Sequence, residues 1–181
     1  VGQQVPGRLE QLECGQNLGV WIDSARSSGQ LAHAIRSIRE NTKGNVWCLC
    51  SIDDSHSQRE RQRLGEIAER AADKVIITNT AGGPLLDYEP AHQILDGFED
   101  PGKAQLIPNR FKAIEWALTH AQPNDAVIIA GCGERPFALI GEENWTITDR
   151  DVCQAWLYDN AVFSEPNDDQ PNIFDIDDYR A

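Results

Sequence analysis

Val46-Trp47-Cys48-Leu49-Cys50, a polar run, a stretch in which Leu64, Ile67, Ala68, Ala71 and Ala72 recur at helical spacing, and then Val75-Ile76-Ile77 decide the fold. Each apolar run is strand-sized, and the segment between them is long enough for a helix that carries the chain back to the starting end of the sheet. Strands joined that way lie parallel. The alternation extends outward: upstream, Val20-Trp21-Ile22 reads as a strand, and Leu31, Ala34, Ile35 and Ile38 share one helical face after Ser27-Ser28. Downstream, a short helix after Pro90 carries Ala91, Ile94 and Leu95 and stops at Gly97, and Leu106-Ile107 is a short strand. Asn109 caps a helix with Phe111, Ile114, Ala117, Leu118 and Ala121 inward, Ala126 to Ala130 is the most apolar strand, and Thr148 with Asp151 forms a capping box for a last helix through Val152, Ala155 and Trp156. The expected class is α/β, a Rossmann-like, mostly parallel sheet with helices on both faces.

The chain has 181 residues, 40% of them hydrophobic, which suits one core and not two. Residues 1–160 read as the domain and 161–181 as an acidic tail, since Phe163 to Ala181 holds six acidic residues against one arginine, with Phe174 and Ile176 as docking candidates. No apolar run approaches the roughly 20 residues of a membrane span and no signal pattern opens the chain, so a soluble, cytoplasmic protein without a membrane partner is expected. A net charge of −13 argues against nucleic acid as a partner. Five cysteines, an odd number, do not suggest a disulfide framework, and Cys48 and Cys50 read as buried thiols on one face of a strand. A start at Val1 with no methionine suggests a piece of a longer polypeptide.

Open α/β sheets bind ligands beyond the carboxyl ends of their strands, which directs attention to four loops. Asp23 with Arg26 follows the first main strand and is a candidate nucleotide site, because a carboxylate there can accept ribose hydroxyls; the same Asp is as well suited to a turn or N-cap. His56 is the one histidine in such a loop, whereas His33, His92 and His120 fall on helices. Thr80, Ala81, Gly82 and Gly83 follow the third strand, and Gly131-Cys132-Gly133-Glu134-Arg135 follows the apolar one. Gly131 and Gly133 let backbone approach an anion, but the third glycine of a dinucleotide fingerprint is missing and no Gly-Lys-Ser/Thr phosphate loop occurs. Cys132 lacks a basic partner at any diagnostic spacing, Arg59, Arg61 and Arg63 suit a solvated first helical turn, and no set of metal ligands or catalytic residues stands out.

Val5-Pro6-Gly7-Arg8-Leu9-Glu10, Gly15-Gln16, Ile22-Asp23, Leu64-Gly65-Glu66-Ile67-Ala68, Ala72-Asp73, Ile77-Thr78, Ile94-Leu95-Asp96-Gly97, Arg110, Ala113-Ile114, Asp125, Ile129-Ala130-Gly131 and Asp149, in that order, resemble the C-terminal domain of a Mur ligase. The branch resembled is the one that adds diaminopimelate or lysine to UDP-N-acetylmuramoyl-dipeptide, over Val5 to about Asn160. The resemblance implies a Rossmann-like domain that closes onto a central ATPase domain, ATP and Mg²⁺ in the full-length protein, N-terminal and central domains as partners, and UDP-muramoyl-peptide and an amino acid as substrates. Activity would then need the other domains, because phosphoryl chemistry rests on positioning and cationic stabilisation that this chain alone does not carry.

The departures from the family pattern fall on the loops. The family's Asp-Tyr-Ala-His-Thr-Pro-Asp corresponds to Asp23 through Gly29, and its Gly-Gly-Asp-Arg-Asp to Asp53 through Ser57, where His56 replaces the arginine. Its Asp-Asn-Pro-Arg, whose arginine grips the amino-acid carboxylate, falls on Thr80, Ala81, Gly82 and Gly83. Its Gly-Lys-Gly-His-Glu falls on Gly131 through Arg135, so that Arg135 replaces the glutamate that would hold a distal ammonium. Losing a bidentate arginine removes charged hydrogen bonds worth about 1.5–3 kcal/mol each, and Glu to Arg inverts the charge preference. Three readings follow: a working amide-ligase domain with altered or lost amino-acid specificity, a non-catalytic Mur-ligase-like binding or regulatory module, and an unrelated nucleotide-binding domain sharing only the α/β pattern.

Overall fold

A computed structural model describes residues 5–52, 55–80, 88–138 and 146–160. The strands are β1 (Glu10–Leu12), β2 (Gly19–Asp23), β3 (Val46–Ile52), β4 (Lys74–Asn79), β5 (Ala104–Leu106), β6 (Ala126–Ala130), β7 (Phe137–Ala138) and β8 (Thr146–Ile147). The helices are α1 (Ser28–Arg39), α2 (Gln58–Ala71), α3 (Glu89–Leu95), α4 (Arg110–His120) and α5 (Asp149–Asn160). Six strands form one sheet in the order β1-β2-β6-β3-β4-β5; β1 is antiparallel to β2 and every other pair in that sheet is parallel. The expected α/β class holds, and β3 lies inside the sheet between β6 and β4.

Side-chain alternation along the strands splits the core into two layers. Cys48, Cys50, Ile77 and Ile128 pack with Leu31, Ala34, Ile35 and Ile38 of α1, Leu64 and Ala68 of α2, and Ala91 and Ile94 of α3. Trp47, Leu49, Val127 and Ile129 face the other way, against Phe111, Ile114, Ala117 and Leu118 of α4 and Val152 and Leu157 of α5. The chain therefore winds outward along one face from β2 to β5, returns through α4 on the opposite face, and inserts β6 between β2 and β3. Helices leave the neighbouring strands β2 and β6 toward opposite faces, so the crevice of this topology opens at their carboxyl ends.

Local sequence explains most boundaries. Ser27 with Gln30 and Ser57 with Glu60 form reciprocal capping boxes for α1 and α2, Asn109 caps α4, and Thr148 and Asp151 exchange hydrogen bonds at the start of α5. Gly65 lets α2 approach α3 closely, since a Cβ there would collide with the carbonyl oxygen of Ile94.

Several expectations need correction. Ile67 and Ala71 are only partly buried and Ala72 is already the C-cap of α2, because the inward stripe of α2 narrows to Leu64, Gly65 and Ala68. Leu95 is likewise half-buried. The strand expected at Leu106-Ile107 runs over Ala104–Leu106, where it pairs with Val75–Ile77. Arg61 is half-buried and donates to Gln93 of α3, unlike the exposed Arg59 and Arg63. The proposed tail, with Phe174 and Ile176, lies outside the described residues.

Candidate functional site

The site is built up from a buried floor. Arg110 opens α4 and Asp149 opens α5, and both side chains are fully buried. Nε and Nη2 of Arg110 donate to the two carboxylate oxygens of Asp149 at 2.6 and 2.7 Å. Nη1 donates to Ser51 Oγ near the end of β3, and Nη2 also reaches the Ala130 carbonyl at the end of β6. Burial opposes the charge on Arg110, but Asp149 more than offsets it and holds the guanidinium protonated. One residue thus ties the ends of β3 and β6 to both helices on the far face.

Above this floor the loop after β6 turns sharply. Gly131 has φ +106, and a Cβ on it would lie 2.6 Å from Ser51 Oγ, so the turn requires glycine. The Gly131 N–H donates to the Asp23 carbonyl, which ties this loop to the end of β2. Its own carbonyl accepts Nε of Arg26 and Nη2 of Arg135, each at 3.2 Å. Cys132 faces inward at 4% exposure with Sγ 3.7 Å from the Thr80 carbonyl, and burial pushes its thiol pKa up, so it is not a poised thiolate.

Asp23 is 8% exposed. Its Oδ1 accepts the Ala25 N–H and its Oδ2 the Leu9 N–H, both at 2.7 Å, so the carboxylate holds its own turn and the N-terminal segment; a ribose hydroxyl would have to share these oxygens. That segment is fixed from the other side as well. Gly7 donates to Glu10 Oε2, Glu10 pairs with Arg150 at 2.7 Å, and Arg150 also meets Glu134 at 3.4 Å. Burial raises the Glu10 pKa, but the bonds from Arg150 and Gly7 outweigh it and leave the carboxyl below its ordinary value. The run Val5 to Glu10 therefore packs onto the site instead of trailing away from it.

Two adjoining pockets result. Arg26, His56, Thr80 and Gly131 line the first, together with Ser51 and Cys50. Arg26 and Arg135 line the second, with Arg8, Ser24 and Glu134. Five of the residues singled out from sequence are brought together in this way, with Arg26 at the junction. Asp23 lines neither pocket, and Ala81, Gly82, Gly83, Asp53 and Asp54 lie outside the described residues. Arg8 and Ser51 were missed as site residues, and Glu134 was given a place in its loop but no role; the Val-Pro-Gly-Arg-x-Glu run pointed to Arg8, whereas nothing local marks Ser51. No cluster of three or more His, Cys, Asp or Glu side chains suited to a metal occurs among the described residues, and no helix among them is long and apolar enough to cross a membrane.

The family model of the Mur ligase glutamate ligase domain matches residues 7–133. A UDP-N-acetylmuramoyl-L-alanyl-D-glutamate–2,6-diaminopimelate ligase of Haemophilus influenzae (strain PittGG) is 30% identical over 155 residues, covering 84% of this chain and 31% of the relative. The chain thus spans about a third of that relative's length. A solved ligase of the same name superposes with a TM-score of 0.70 at 21% identity, over 86% of this chain and 32% of that one. A bifunctional folylpolyglutamate synthase/dihydrofolate synthase from Yersinia pestis, complexed with AMPPNP and a manganese ion, gives 0.54 at 16% identity over 71% and 28%. At these identities the two structures support the fold.

Proposed function

The chain belongs to the Mur ligase family, and from that premise we propose that it is the amino-acid-binding and closure domain of an ATP-dependent amide ligase of peptidoglycan precursor synthesis, with an altered amino-acid specificity. The observation that carries this reading is the convergence of Arg26, His56, Thr80, Gly131 and Arg135 on one crevice at the carboxyl ends of the strands. In this reading ATP and Mg²⁺ are bound at the interface with a central ATPase domain, the metal neutralising phosphate charge. The described residues offer the nucleotide Arg26 and, by sharing, Asp23; their donor set does not fit Mg²⁺, which would be held by the phosphates and the partner domain. UDP-muramoyl-peptide and an amino acid are the proposed substrates, and the departures at Gly83 and Arg135 set the specificity apart from diaminopimelate.

A second reading, a non-catalytic binding or regulatory module, draws on the same replaced loops. ATP-dependent amide formation separates the two. The 181-residue chain alone is expected to release no phosphate from ATP, whereas the longer polypeptide carrying it behind the two upstream Mur domains is expected to couple ATP consumption to amide formation with UDP-muramoyl-peptide and a mixture of amino acids. Absence of coupled turnover with every amino acid in the longer polypeptide selects the non-catalytic module.

A further inference from the structure

The second pocket is lined by two chain segments far apart in sequence: Pro6, Gly7 and Arg8 precede β1, and Cys132, Glu134 and Arg135 follow β6. Their backbones touch. A Cβ on Gly7 would lie 2.9 Å from the Glu134 nitrogen, and one on Gly133 would lie 3.1 Å from the Gly7 carbonyl oxygen, with φ +66 and +58 at the two glycines. Such contact sets a closest approach but resists separation only weakly. Among the described residues no hydrogen bond runs directly from one segment to the other.

Two residues from elsewhere tie the segments together. Asp23 takes the Leu9 N–H on a carboxylate oxygen and the Gly131 N–H on its carbonyl. Arg150, on the first turn of α5, joins them by charge: its Nη2 donates to Glu10 Oε2 at 2.7 Å and to Glu134 Oε1 at 3.4 Å. The same Glu10 oxygen accepts the Gly7 N–H at 2.8 Å, so the hold on Glu10 reaches the glycine that touches the loop. Arg150 lines neither pocket and acts only through their walls. The two carboxylate oxygens it holds lie no more than 6.1 Å apart, the sum of its two contact lengths. Without the guanidinium they are two like charges a few ångströms apart, and attraction between the segments becomes repulsion.

We propose that Arg150 is a positioning residue that clasps the two walls of this pocket and so sets its aperture. The clasp follows from the geometry; that the pocket admits the amino acid rests on the ligase reading above. Both contacts use one nitrogen, so the role requires a single cationic donor, which a lysine ammonium with its three N–H groups also supplies.

The test uses Cys132, which lines the same pocket at 4% exposure, as the reporter. The 181-residue chain is treated with iodoacetamide and alkylation is followed at each cysteine by mass spectrometry, with the fully buried Cys48 and Cys153 reporting global unfolding. Arg150→Met should speed alkylation of Cys132 roughly tenfold while Cys48 and Cys153 keep the parent rate, as local opening requires. Arg150→Lys should bring Cys132 back to within about twofold of the parent, and Glu134→Gln, which weakens one tie at an exposed position, should give a smaller acceleration. An unchanged Cys132 rate in Arg150→Met overturns the clasp, and a rate that lysine does not restore overturns its cationic basis. Should Arg150→Met accelerate all three cysteines, Glu134→Gln decides: an unchanged Cys132 rate there overturns the clasp.

In the longer polypeptide, amide formation from the mixture of amino acids should fall with Arg150→Met and recover with Arg150→Lys. A faster Cys132 with undiminished amide formation overturns the assignment of this pocket to the amino acid. Failure of the ligase reading looks different: Cys132 responds as described, yet the parent polypeptide forms no amide.

Discussion

Arg110 and Arg135 donate to consecutive carbonyls, Ala130 at the end of β6 and Gly131 directly after it, and they live under opposite constraints. Arg110 is fully buried and neutralised by a bidentate contact to Asp149, because an unpaired guanidinium inside a protein is prohibitively costly. Arg135 is exposed, and water solvates whatever charge the loop leaves uncompensated. The same residue type is consumed by the fold in one case and left able to exchange partners in the other. What separates them is desolvation: a buried charge commits to its partner during folding, while an exposed one can trade water for a ligand.

The sharpest way to break this comparison is Arg110→Ala, which leaves Asp149 charged and buried. Unfolding by urea should show a loss of about 3–5 kcal/mol. Replacing both partners together, Arg110→Met with Asp149→Leu, should recover much of that loss, since an apolar pair carries no uncompensated charge. A loss under 1 kcal/mol in the single variant would mean that water reaches the floor.

Asp125 extends the comparison to the opposite end of the sheet. It is 4% exposed and accepts the Gln122 N–H, Trp47 Nε1–H and the Asn45 N–H. Burial raises its pKa, but these bonds outweigh it and hold the carboxyl below its ordinary value. A carboxyl whose folded pKa is depressed contributes stability that is fully present above its unfolded value of about 3.9 and is lost as the pH falls through the folded value. Unfolding free energy should therefore decline on acidification below about pH 4, and Asp125→Asn should cost about 1.5–3 kcal/mol at pH 7 and flatten that decline. Glu10, depressed by Arg150 and Gly7 against its burial, contributes in the same direction, so Glu10→Gln should flatten a smaller part.

The smallest expected effect on stability is at Arg135. Arg135→Gln should leave the urea midpoint within about 0.5 kcal/mol of the parent, as exposed substitutions usually do. A cost as large as that of Arg110→Ala would place Arg135 in the scaffold and erase the distinction.

Much of the fold was legible because burial imposes a period. Leu31, Ala34, Ile35 and Ile38 are the buried residues of α1, and Cys48 and Cys50 face one core layer, as their spacing implies. β1, β7 and β8 were not legible: three- and two-residue strands are too short to show alternation. At the site, chain order placed Asp23, Arg26, His56, Thr80, Gly131 and Arg135 on loops after strands, but it could not show that Asp23 spends its oxygens on Ala25 and Leu9.

Strand and helix periods, the caps at Asn109 and Thr148, the α/β class and the family pattern lie in the sequence itself, because each is set by neighbours within a few residues or by colinear spacing. Which arginine is sealed and which faces solvent was decided only when β6 slid between β2 and β3 and brought Ser51, Ala130, Arg110 and Asp149 into one buried contact. Ser51 and Ala130, hydrogen-bonded directly, are 79 positions apart along the chain, and desolvation, the quantity that distinguishes the two arginines, exists only once the sheet has closed around them.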